Sequence, residues 1–208
     1  MRNESVKWKI WIYRLLPLLA VAEVVLFLVS WIINAAAPEL PVRSLLSSEG
    51  IRWFIGSFVA NLQRPLLVWI VLCCIAVGCL RDSSLLMHIR QLFRRSHLPS
   101  FRQRLAFQFV LAELVAFVII LLLLTSIPHA VLLSVTGNLF PGIFSQGIIP
   151  ILAFVVVVCS LTYGAVSGTL NTLPKAVGAL TSGFSLLGIL FPLYILSMEL
   201  FESLRFVF

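Results

Sequence analysis

Charge is what this sequence has least of. Only 11% of its 208 residues are Asp, Glu, Lys or Arg, where a soluble domain carries about 25%. From Leu114 to Pro174, 61 residues pass without one. Hydrophobic residues reach 61% and the mean hydropathy is +1.09. A water-soluble fold cannot hide that much apolar surface, so lipid must solvate much of it. Chemical signatures are missing as well. No G-x-x-x-x-G-K-[ST] run occurs, which argues against an ATP-driven pump, and no G-x-S-x-G or Ser/His/Asp order occurs. A membrane enzyme is therefore not expected. No CxxC pair occurs, and Cys73, Cys74, Cys79 and Cys159 all fall inside apolar runs, where cysteine acts as a small hydrophobe. None of His88, His97 and His129 pairs with a carboxylate at helical spacing, so neither a metal site nor a cofactor is expected.

What is present is a series of apolar runs long enough to cross a bilayer at about 20 residues each. They predict an all-α membrane bundle, a single transmembrane domain of about five spans. The spans read as Leu15 to Ile33, Leu66 to Leu80, Leu105 to Ile127, Ile148 to Gly168 and Gly178 to Leu200. The first run resembles a signal peptide, with Ala35-Ala36-Ala37 as a small-residue cleavage site. Its length, Glu23 and Pro38 predict that it stays uncleaved. Between the first two spans, Ile51, Phe54, Ile55, Phe58, Val59 and Leu62 recur at helical spacing, opposite Glu49, Arg52, Ser57, Asn61 and Gln63. That pattern predicts an interfacial amphipathic helix over residues 48–63, capped by Ser48. Leu85, Ile89, Leu92 and Phe93 predict a second surface helix. Pro128, Gly137, Pro141 and Gly142 make residues 128–147 a candidate re-entrant segment.

The net charge is +7, but the cations flank the apolar runs, so they set topology and do not imply nucleic acid. With the N-terminus inside, the inner segments hold 11 Lys and Arg and the outer ones 4. This predicts a cytoplasmic N-terminus and a C-terminus outside, which in a bacterium is the periplasm. The Arg-rich loop 81–104 should also touch anionic lipid.

Two acids stand out. Glu23 lies near the middle of the first span and Glu113 about two turns into the third. A charged acid at mid-bilayer costs about 2.5–3.5 kcal/mol on insertion scales, so each is a candidate proton-coupling group, set against a neutral acid bonded to a neighbouring helix. Glu199 and Glu202 fall at the last turn of the fifth span, within reach of water. Ser160, Thr162, Gly164, Ser167, Gly168 and Asn171 form a small, hydroxyl-rich stretch. Its commonest use is helix packing, and a substrate path is the sharper alternative.

The run Pro41-Val42-Arg43-Ser44-Leu45-Leu46-Ser47-Ser48-Glu49-Gly50-Ile51-Arg52-Trp53, and more loosely residues 36–86, resembles the p-aminobenzoyl-glutamate transporter family. The resemblance implies an inner-membrane, ion-coupled secondary transporter of small organic anions or antimetabolites, working as a dimer. It carries over no binding residue. The polar signature expected after the third span is replaced by Thr125-Ser126-Ile127-Pro128-His129-Ala130. The chain is roughly half a member's length, so a homo-oligomer or a partner membrane subunit would supply the rest. The alternative is a non-transporting scaffold or assembly subunit.

Overall fold

The computed structural model describes residues 2–94, 100–126 and 143–208, and every regular element among them is a helix. In chain order these are α1 (Arg2–Ala36), α2 (Ser48–Leu62), α3 (Pro65–Asp82), α4 (Leu85–Arg94), α5 (Phe101–Ser126), α6 (Ile143–Ser167), α7 (Leu173–Leu187) and α8 (Leu190–Val207). Four of them are long and apolar enough to cross a membrane: α1 from Ile12, α3, α5 and α6 from Gly147. A fifth crossing is reached if α7 and α8 count as one broken span. The candidate re-entrant segment lies outside the described residues as far as residue 142, and residues 143–147 open α6. His97 and His129 also lie outside them.

The fifth span is not the single helix the apolar run from Gly178 to Leu200 suggests. It stops after Leu187 and restarts at Leu190. The cause is Pro192, which has no N–H to offer the carbonyl of residue 188 and whose ring crowds that carbonyl. Gly188 carbonyl instead accepts from Phe191 N–H at 3.2 Å, a tight turn that starts the new helix.

The other boundaries have equally local causes. Ser47, not Ser48, caps α2: its hydroxyl accepts from Gly50 N–H at 3.0 Å, with Glu49 in the first turn. A Cβ at Gly50 would run into the Ser44 carbonyl and Leu45, so the approach to α2 requires glycine there. Pro65 opens α3, where its missing N–H costs nothing. At the end of α6, Gly168 takes a left-handed φ of 87°, and Leu170 N–H returns to the Gly164 carbonyl at 2.9 Å.

The helices form two compact units. The first comprises residues up to Val68 together with 188–208. In it α1 and α2 both pack on α8, around Leu26, Leu45 and Val207, with Phe27, Trp53 and Phe206 against them. Glu23 meets Ser203, and Leu26 joins Val207 in one cluster, so α1 and α8 run in the same direction. Trp53 stacks on Phe206 while Asn61 meets Glu199, so α2 runs against them. The second unit, residues 69–187, is built on α5 and α6, around Ala106, Val110, Cys159 and Tyr163 with Leu85 from α4. Within it α3 and α7 touch backbone to backbone, since a Cβ on Gly183 would overlap the Cys74 carbonyl and one on Gly78 would meet Gly183 and Ala179.

Both units turn apolar side chains outward. Leu18, Val21, Val24 and Ile32 of α1 and Leu111, Ile119, Leu122 and Leu123 of α5 are all exposed. Helix α2 does the same with Ile51, Ile55 and Val59, while its polar Asn61 turns inward to Glu199. An inside-out arrangement of this kind suits lipid as the solvent.

Candidate functional site

The densest buried polar group in the protein's first unit sits where α1, α2 and α8 meet. Glu199, Glu202 and Ser203 lie at i, i+3 and i+4 on α8 and therefore share one face. Each finds a different partner. Ser203 hydroxyl donates to Glu23 Oε1 of α1 at 2.6 Å. Asn61 Nδ2 of α2 donates to Glu199 Oε2 at 3.3 Å. Arg64, just past α2, forms an ion pair with Glu202. Tyr194 closes one end by donating from its hydroxyl to the Leu62 carbonyl at 2.9 Å.

Glu199 is the residue that sequence reasoning misplaced. It is not at a last turn within reach of water. It is 3% exposed, near the middle of α8, because that helix restarts at Leu190 and continues to Val207. Among the described residues its Oε1 is buried without a hydrogen-bond partner, and so is Oε2 of Glu23. Glu23 and Glu202 both lie within electrostatic reach of Glu199. Three acids, of which two have an unsatisfied buried oxygen, thus converge on one face. A buried oxygen without a partner costs about 1–3 kcal/mol and more if charged, so its retention requires an explanation.

Glu113 lies in the second unit. Its Oε1 accepts from Thr162 hydroxyl at 3.3 Å, Cys159 is its other near neighbour, and its Oε2 is buried without a partner. The small-residue stretch divides by role. Only Thr162 reaches an acid. Ser160 is fully buried with an unpartnered hydroxyl. Gly164 makes room for the Leu170 side chain, and Gly168 turns the chain. Ser167 hydroxyl lies 3.2 Å from that of Thr169, which donates on to Ser83 carbonyl. Asn171 accepts from Lys175 at 2.9 Å. The GxxxG of residues 164 and 168 therefore ends a helix, whereas Ala179 and Gly183 make the close helix crossing.

Among the described residues no three His, Cys, Asp or Glu are grouped to hold a metal ion. Cys74, Cys79 and Cys159 are buried and Cys73 is exposed, all four as free thiols. His88 bonds to Ser84 carbonyl and to Gln103 and leans on the Tyr163 ring, a structural use.

The fold and this polar group define an all-helical chain with several helices apolar enough for a membrane and buried acids between them. Comparison with family models, curated proteins and solved structures finds no match.

Proposed function

We propose that this chain is a transporter-like protein of a bacterial inner membrane. It couples the movement of a small organic anion, of the p-aminobenzoyl-glutamate or antimetabolite kind, to a proton gradient. Glu199 and Glu23 are the central coupling pair in this reading, with Glu113 a separate candidate. The observation that carries it is Glu199, an acid buried in an apolar helix with one oxygen unpartnered and a second acid in reach. Acids in such places are expensive and are functional by default. A site that must take up and release a proton needs an oxygen left free to receive it, which a purely structural acid does not.

The resemblance of Pro41 to Trp53 supports the class of substrate. The cation asymmetry supports a cytoplasmic N-terminus and a periplasmic C-terminus. Helix α2, antiparallel to α8, turns its Ile51–Ile55–Val59 ridge to lipid, and loop 81–104 rests on anionic headgroups. A second copy, or a partner membrane subunit, completes the pathway.

The test is flux in proteoliposomes with an imposed pH gradient and p-aminobenzoyl-glutamate as solute. Wild type should accumulate it. Glu199→Gln should lose gradient-driven uptake while keeping solute exchange, because exchange needs no net proton movement. Uptake by Glu199→Gln equal to wild type at every pH would remove the coupling role.

The broad exposed apolar faces of α1 and α5 favour a second reading, an assembly subunit that seats other membrane helices. Native mass spectrometry separates the two. A homo-oligomer, or a complex with a second subunit that carries flux, supports the carrier, and a stoichiometric complex without flux supports assembly.

A further inference from the structure

At the end of the first unit where α1 and α8 both finish, a cavity of about 600 Å³ opens beside the chain that links α1 to α2. Its floor is aromatic. Trp53 of α2 stacks on Phe206 of α8 with ring centroids 4.4 Å apart. Its charged wall is Arg43, Arg205 and Glu202. Pro41 stiffens the linking chain, and Arg43 N–H donates to the Val207 carbonyl at 3.1 Å, so the wall is tied to the helix end.

The charges do not cancel. Arg64 already occupies Glu202 from outside the cavity. Arg205 approaches the same carboxylate only at 4.0 Å and is largely exposed. No carboxylate pairs with Arg43 among the described residues; its guanidinium lies 5.7 Å from the Phe206 ring centre. With Arg64 matched to Glu202, Arg43 and Arg205 remain as an uncompensated pair, and the balance stays positive even with a carboxylate on Phe208. Glu39 is exposed and does not line the cavity.

We infer that this cavity binds the phosphate of an anionic phospholipid, held between Arg43 and Arg205, with its acyl chains lying down the exposed apolar faces of α1 and α2. Three independent features call for that occupant. Two unmatched guanidiniums suit a phosphate, which accepts from both. Trp53 and Phe206 are amphipathic or flat rings at a helix end, the depth at which aromatic side chains meet headgroups. At the cavity's rim, Leu40 and Phe208 are exposed and apolar, a surface acyl chains cover and a free anion does not. The site is on the side opposite to loop 81–104 by the cation count, so it is distinct from the lipid contact expected there.

The experiment uses the full chain in nanodiscs of phosphatidylcholine doped with phosphatidylglycerol, followed by native mass spectrometry of the released protein. Wild type should retain phosphatidylglycerol over phosphatidylcholine. Arg43→Gln with Arg205→Gln should lower that retention roughly tenfold or more, at about 1 kcal/mol per basic residue near a lipid surface. Lys175→Gln, an exposed cation outside both the cavity and loop 81–104, should leave it unchanged. Equal retention of the two lipids by wild type would overturn the proposal without any variant, so a poorly folding double variant leaves it testable. Displacement of the lipid by millimolar inorganic phosphate would also overturn it, since the site would then be one for a free anion. Neither result depends on whether the chain transports anything.

Discussion

At the scale of single residues, the burial of Glu199 decides more than its identity. Glu→Gln keeps shape and one acceptor oxygen while removing titration. Asn61 still has a carbonyl to donate to in Glu199→Gln, and Ser203 still has one in Glu23→Gln. Both variants should therefore assemble with stability within about 1 kcal/mol of wild type, while losing proton-driven flux. Size-exclusion profile and flux measured on the same preparation check this. Loss of folding in Glu199→Gln would assign the acid to structure. Glu113→Gln is the internal comparison. Among the described residues its neighbours are a hydroxyl and a thiol and no second acid, so its effect on flux should be the smaller of the two.

Tyr194 makes a complementary structural prediction at the same scale. Its hydroxyl satisfies the Leu62 carbonyl in the last turn of α2, next to the break before Pro65. Helix-end carbonyls have no partner inside their own helix. Tyr194→Phe leaves that carbonyl with Arg64 N–H alone, at 2.8 Å, and should cost about 0.6 kcal/mol, the average found for interhelical bonds in membranes. A shift of the unfolding midpoint in mixed detergent measures it, and no shift would mean that another donor takes over.

At the scale of elements, the helices were readable wherever one pattern dominated. The 15 residues of α2 announce themselves by apolar periodicity, and α4 by Leu85 and Ile89. Three long runs, α1, α3 and α5, follow from hydropathy alone because few other arrangements satisfy their backbone in lipid. The break in the last span was written in Pro192, but hydropathy is blind to a missing N–H, so the apolar run looked continuous. That one misreading also hid Glu199, since a helix ending near Leu200 places the acid at an exposed turn. The partners Asn61 and Ser203 were not legible for a different reason. They lie 138 and 180 residues from the acids they meet, and no local pattern encodes such a pairing.

The crossing of α3 and α7 carries the element-scale prediction. Small residues let helix backbones approach, and here nothing larger fits at Gly183 because the obstacle is the Cys74 backbone carbonyl, which cannot rotate away. Gly183→Val should destabilise the second unit by at least the 1–3 kcal/mol typical of overpacking. Gly178→Val, on the same helix with open space where its Cβ would be, should cost far less. Unfolding of the two variants side by side tests the crossing, and equal losses would place α3 and α7 further apart.

At the scale of the whole molecule, direction is the informative quantity. Helices α1 and α8 run the same way within one unit, from Glu23 beside Ser203 to Leu26 beside Val207. If both cross the bilayer, the chain from α1 to α8 inclusive must cross an odd number of times. Four spanning helices plus the broken pair α7/α8 as one span meet that requirement, and α7 and α8 as two separate spans, six in all, do not. The 11 to 4 excess of Lys and Arg independently predicts an N-terminus inside and a C-terminus outside. The two arguments use different residues, contacts in one case and loop charge in the other, so their agreement is informative. The prediction follows by placing single cysteines in a chain whose Cys73, Cys74, Cys79 and Cys159 are replaced by Ala or Ser. Ser48→Cys and Phe208→Cys should react with an impermeant maleimide added from the outside, because the chain leading into α2 and the end of α8 are bonded to each other through Arg43 and Val207. Ser100→Cys, in the Arg-rich loop and exposed, should react only after the membrane is opened. Labelling of Ser48→Cys and Ser100→Cys from one side would refute the orientation. Labelling of Ser48→Cys and Phe208→Cys from opposite sides would refute the parallel packing of α1 and α8, and with it the convergence of Glu23 on Glu199.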